Sequence, residues 1–186
     1  RNRGDLLIEA GAVLRAQGAA RLDATREHLL GAGVLDLADG AALALAGGQV
    51  SLGAVPGGTG GLVLGSADVA ALAGLGALEL RSYAGIDVYG DLALGSPALA
   101  ALTLDGGGLR GFGGDLTLRG QVVTLTNTTG GSAAGGAAGA LRVEAGRLLL
   151  ADTGAGAFAL SGYGQADLTA GDILARGRGT LAAGGD

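Results

Sequence analysis

The chain has no cysteine, methionine, tryptophan or lysine in its 186 residues, and only one histidine and two prolines. Without cysteine there is neither a disulfide framework nor a thiolate metal site. Without lysine, and with a formal net charge of −5, the usual electrostatic footprint for nucleic acid is missing, so no DNA or RNA partner is expected. Aromatic residues are 3% of the chain, while hydrophobic residues overall are 48%. An interior built from such a chain is narrow and filled by Leu, Val and Ala. The absence of methionine and an Arg at position 1 predict that residues 1–186 form a single segment of a longer chain. No apolar run is long and unbroken enough for a spanning helix, which needs about 20 residues in one piece. The alternating runs fall short of the ~9 to 11 residues of a transmembrane barrel strand, so no membrane insertion is expected.

What the chain has in abundance is glycine, 41 residues of it, punctuating short runs of period two. LLIEA at 6–10, VLDLA at 34–38, ALALA at 42–46, ALELR at 77–81, LTLD at 102–105 and LRVEA at 141–145 alternate aliphatic with small or polar residues. That alternation predicts short, half-buried strands. A helical reading would place a glycine in nearly every turn, at about 1 kcal/mol each.

A second period emerges on stepping 21 residues. Ile8 leads to Leu29 and Val50, Leu14 to Leu35, and Leu22 to Leu43 and Leu64; later come Val88 to Leu109, Leu102 to Val123, Leu104 to Leu125 and Leu160 to Leu181. A repeat of about 21 residues holding three short strands is the geometry of a parallel β-helix, an all-β β-solenoid in which each strand pairs with its equivalent one coil away. About nine coils are expected, stacked at ~4.8 Å. LVLGSADVAALAGLGALEL at 62–80 and LALGSPALAALTL at 92–104 share a strand, Gly-Ser, an Ala-rich piece and a strand. Ser66 and Ser96 suit an N-cap and Pro97 a first helical position, which predicts short helical-turn insertions at coil corners. GGSAAGGAAGA at 130–140 predicts a Gly/Ala-rich loop on the outside of the rod.

Several motifs bear on function. Arg3-Gly4-Asp5 is a tripeptide that adhesion receptors read on exposed loops, and is the candidate receptor motif. Yet Gly-Asp followed by an aliphatic recurs at Gly90-Asp91, Gly114-Asp115 and Gly171-Asp172, so it is expected to be the way this chain turns into a strand, with Asp bonding nearby backbone N–H groups. Asp87 and Asp91, four apart in GIDVYGDL, with Tyr83 and Tyr89 beside them, form the candidate ligand face for a sugar or Ca²⁺, or, with another acid, a site for glycan hydrolysis. GGGLRG at 106–111 spells a dinucleotide fingerprint but is followed by a strand pattern instead of a helix, so no nucleotide cofactor is expected. His28 has no evident Ser or Asp partner, and neither catalysis nor a metal site is expected. TLTNTTGG at 124–131 places Thr and Asn where they can hydrogen-bond between coils.

GDLLIEAGAVLRA and LELRSYAGIDVYGDLALGSPALAALTLDG resemble the repeat region of filamentous-haemagglutinin-like exoproteins, two-partner-secreted bacterial surface adhesins. The resemblance covers most of residues 4–125. It implies a right-handed parallel β-helix, an extracellular or outer-membrane-associated location, and a role as a structural filament shaft. The partners expected, since neither end of the sequence reads as a capping repeat, are copies of itself, stacked end to end or laterally, or adjacent coils of the parent chain, together with a host surface glycan or receptor. A ligand-binding adhesin face is the alternative function, and a carbohydrate-active β-helix enzyme the third.

Overall fold

The computed structural model describes residues 4–9, 11–26, 28–29, 34–137, 139–152, 154–177 and 183–184. They form a parallel β-solenoid of about 6 turns, with 57% of the chain in strands. Every strand pairing among the described residues is parallel, and all but one join strands a full coil or more apart. Two eight-stranded sheets run the length of the stack, and a two-stranded sheet, Val13–Ala16 with Val34–Leu37, lies at its amino-terminal end. No helix among the described residues is long and apolar enough to cross a membrane.

The core is a set of aliphatic ladders. In one sheet, which joins Ala42–Gly47, Ala77–Ser82 and Ala101–Asp105 to the long strands that follow, Leu45, Leu80, Leu104 and Leu125 succeed one another in register. Each is at most 1% exposed. Leu and Ala form strands poorly by propensity, but a residue whose neighbours above, below and across are all apolar is held by burial instead.

The coil length is not uniform. Leu14 lies beside Leu35, Leu102 beside Val123 and Leu104 beside Leu125, as the 21-residue step predicts. Elsewhere the step is longer: Leu22 pairs with Leu45 instead of Leu43, Ile86 with Leu109, and Leu160 with Ala183. Leu181 lies outside the described residues. Hydrogen-bonded side chains on neighbouring coils are separated by 21, 23, 24 or 25 residues, because the corners absorb extra residues without disturbing the ladders.

The widest departure follows Val50–Gly53. The chain loops through 54–61 and lays down Leu62–Gly65 in the same sheet, beside the strand it has just left. The six-residue helix Ser66–Ala71 and a 3₁₀ turn at Leu72–Gly74 come next, so Gln49 meets Gly85, 36 residues on. The N-cap of this helix is Gly65 and not the expected Ser66, which is the first helical residue, and the Asp68 carboxylate accepts 2.8 Å from the Gly65 N–H. Its sister piece at 96–100 is too short for a helix and makes a single turn, closed by Leu99 N–H to Ser96 C=O at 3.0 Å.

Residues 131–136 form no strand, whereas Ala140, the last residue of the expected 130–140 loop, opens the strand Ala140–Asp152. In consequence Gly108–Arg110 pairs directly with Ala159–Ser161, and the loop rejoins the sheet only where Ala137 bridges Phe112. Gly111, inward on its strand, lies against the Tyr163 ring: a Cβ there would stand 3.0 Å from Tyr163 Cε1. The tyrosine fills the core where this coil has no side chain of its own.

Candidate functional site

Asp87 and Tyr89 lie on the outward side of Ile86–Tyr89, whose Ile86 and Val88 point into the core. Parallel pairing sets Asp87 beside Ser51 in one direction and Arg110 in the other. The carboxylate accepts 2.6 Å from Arg110 Nε and 2.7 Å from Arg110 Nη2, a two-pronged charge-assisted contact. Although outward on its strand, Asp87 is only 5% exposed.

Tyr89 is in register with Phe112, and their rings stack at 4.8 Å and 10°. That is the separation of the strands that carry them. The Arg110 guanidinium lies 5.6 Å from the centre of the Phe112 ring, within cation–π range. Burial, and next the negative charge of Asp87, raise the Tyr89 phenol above its ordinary range, with Arg110 opposing.

The other two residues of the expected ligand face go elsewhere. Tyr83 Oη lies 3.2 Å from each carboxylate oxygen of Asp23, 60 residues earlier, on a different sheet. Asp91 accepts from the backbone N–H of Asp115 at 2.8 Å, and Asp115 in turn accepts from Ala140 N–H at 3.1 Å. Sequence proximity had grouped Tyr83, Asp87, Tyr89 and Asp91; the solenoid keeps Asp87 and Tyr89 on one strand and sends the others to opposite corners.

Those bonds also explain Gly-Asp. The carboxylate of Asp91 reaches the next coil, 24 residues away, instead of the local turn first expected. Gly114 is left-handed at φ 87° and stacks so closely on the coil below that a Cβ would fall 2.3 Å from Gly90 C. The Gly171-Asp172 copy makes no turn: it lies inside the strand Gln165–Arg176, where Asp172 pairs with Arg147 at 3.0 Å. In the first copy Asp5 is ion-paired with Arg26, 21 residues on, through both carboxylate oxygens. Arg3 lies outside the described residues, and so does the side chain of His28, whose backbone forms the short strand His28–Leu29.

The pattern that sequence reading missed is general. Arg15–Asp36, Arg81–Asp105, Arg110–Asp87, Arg119–Glu144 and Arg147–Asp172 are all ion pairs between register partners on adjacent coils. The signal was present as an Arg and an acid 21 to 25 residues apart, but a fixed step of 21 hides all but the first.

A buried polar corner supplements the pairs. Asp105, 1% exposed, accepts from Arg81, from the Thr128 N–H at 2.7 Å and from the Thr128 hydroxyl. Asn127 Nδ2 donates to Gly131 C=O and to Ala157 C=O, both at 2.9 Å, and Thr129 Oγ1 donates to Ser82 C=O at 3.0 Å. This matches the expected role of TLTNTTGG. GGGLRG runs into the strand Gly108–Phe112, with no helix after it.

Chemically, the site is an outward ladder of charge pairs with one stacked aromatic pair. Among the described residues no three His, Asp or Glu side chains gather as a metal site. Comparison with protein-family models, curated proteins and solved structures returned no match.

Proposed function

We propose that the chain is a structural shaft, a rigid β-solenoid spacer within a surface-exposed or secreted bacterial adhesin-like protein, with a non-catalytic role. The observation that carries this reading is the coil-to-coil ion-pair ladder. Arginines and acids that a binding or catalytic surface would aim at a ligand are aimed at one another along the axis, where they hold adjacent coils in register. The sequence resemblance to filamentous-haemagglutinin-like repeats supports the surface location. Antibodies against this chain should label intact source cells without permeabilisation; labelling only after permeabilisation overturns the location.

A ligand-binding face is the second reading, and Phe112 favours it. Stacked on Tyr89, flanked by Arg110 and 37% exposed, it offers a flat apolar edge of the kind that packs against a sugar ring. Glycan-array binding that is lost in Phe112→Ala, with the fold intact by circular dichroism, would replace the shaft reading by this one.

A further inference from the structure

The strands Val50–Gly53 and Leu62–Gly65 run parallel and side by side, so residues 54–61 must return from the end of one to the start of the other. A segment of that length reaches about 28 Å at full stretch, too little to encircle the core, so it crosses the outer face of the sheet as a strap. Beneath it lie Ser51 and Val63, the outward side chains of the two strands and partners in register. Val55 and Thr59 are the half-buried residues of the strap, and Pro56, Gly57 and Gly58 stand exposed.

The strap is weakly held and covers a group with nothing to bond. Among the described residues, 54–61 donate only one hydrogen bond beyond Gly53, from Ala54 N–H to Tyr89 C=O at 2.9 Å. Val55 N–H donates to Gly53 C=O, and Thr59 donates to Pro56 C=O through its amide and its hydroxyl. A Cβ at Gly57 or Gly58 would meet no atom within 4 Å. Ser51, although outward on its strand, is 0% exposed, and its hydroxyl has no hydrogen-bond partner among the described residues. Burying an unpaired hydroxyl costs free energy that contact with water recovers, so closure of the strap is opposed by the group it covers. Few contacts and an unsatisfied group favour opening of a segment while its surroundings stay folded.

We propose that residues 54–61 are a strap that swings off the sheet while the solenoid stays folded, uncovering Ser51 and its register partner Asp87. In the open form the Ser51 hydroxyl, the Asp87–Arg110 pair and the Tyr89–Phe112 stack lie on neighbouring outward rows of one face. That face therefore has two forms, the open one the more polar. The inference holds for a shaft and for a ligand-binding face alike; on the second reading the strap controls access to the polar row beside Phe112.

The chain contains no cysteine, so a single introduced thiol can be followed alone. Ser51→Cys, folded by circular dichroism, should react with a maleimide at least about 100-fold faster than Leu52→Cys, whose side chain faces the core and is reached only when the ladders come apart. In the wild-type chain, Ala54 N–H should exchange with deuterium at least about 100-fold faster than Leu52 N–H, a measurement that stands if either cysteine variant fails to fold. Ser51→Ala should slow the Ala54 exchange at least about fivefold, because closure then buries no unpaired hydroxyl. Equal labelling of the two cysteine variants, Ala54 exchange as slow as that of Leu52, or an unchanged rate in Ser51→Ala overturns the strap. None of these outcomes bears on surface labelling or glycan binding, which test the two functional readings separately.

Discussion

Asp87 and Arg110 stand side by side on adjacent coils, 23 residues apart, joined by two hydrogen bonds of 2.6 and 2.7 Å while the Asp87 side chain is 7% exposed. The pairing converts an outward carboxylate, the kind of group that marks a ligand site in a sequence, into a rivet between coils.

Arg110→Ala strips that carboxylate of its counter-charge while it remains buried, and should cost about 3 kcal/mol of stability in urea unfolding. Arg15→Ala, which breaks the exposed pair with Asp36, should stay within about 1 kcal/mol of wild type. Equal losses would show that Asp87 is not desolvated.

Gly113 and Gly114 are neighbours in the same left-handed conformation, at φ 81° and 87°, but only Gly114 has another coil against it. Gly113→Ala should cost about 1 to 2 kcal/mol, the backbone penalty alone. Gly114→Ala meets backbone of the coil below and should cost clearly more, or prevent folding. Similar melting temperatures for the two variants would contradict the stacked corner.

Tyr163 is 1% exposed and its hydroxyl has no hydrogen-bond partner among the described residues. Burial, and secondarily the negative charge of Asp87, push the phenol well above its ordinary range. The folded state therefore keeps this proton where the unfolded chain releases it. The associated stability is fully present below pH ~10, the unfolded tyrosine value, and is lost as pH rises beyond it toward the folded value. Tyr163→Phe removes an orphaned hydroxyl, should raise stability at pH 7 by about 1 kcal/mol, and should flatten the alkaline loss. A destabilised Phe variant in urea unfolding would mean that the hydroxyl has a partner.

Leu43 is 2% exposed within its ladder, whereas Asp39 sits at an exposed turn. Leu43→Asp should unfold the coils around it, because it buries an unpaired charge, and Asp39→Ser should change little. Circular dichroism separates the two outcomes.

Alternation in ALALA, ALELR and LTLD was enough to establish strands and their inward rows, because a period of two leaves one face to bury whatever the neighbours are, and the longer repeat made those strands parallel. The coil step was legible only in part: Leu102 to Val123 was readable at 21, while Leu22 to Leu45 and Ile86 to Leu109 were not, since glycine-rich corners take up one or more extra residues without changing the strands between them. The second strand at Leu62–Gly65 was legible as a strand but not as one that folds back beside Val50–Gly53.

Composition and patterning thus determined the class of fold, its narrow aliphatic core and the corner role of Asn127 and its threonines. Only the tertiary structure decided what the charges do. Whether an arginine 23 or 25 residues from an acid meets it depends on the exact length of every intervening corner, and hydrophobic rows tolerate that variation because any aliphatic residue stacks on any other. Ion pairs do not tolerate it: Asp87 finds Arg110, Asp91 finds a backbone N–H, and Tyr83 finds Asp23, because the register of whole coils, not distance along the chain, sets which polar groups come within hydrogen-bonding reach.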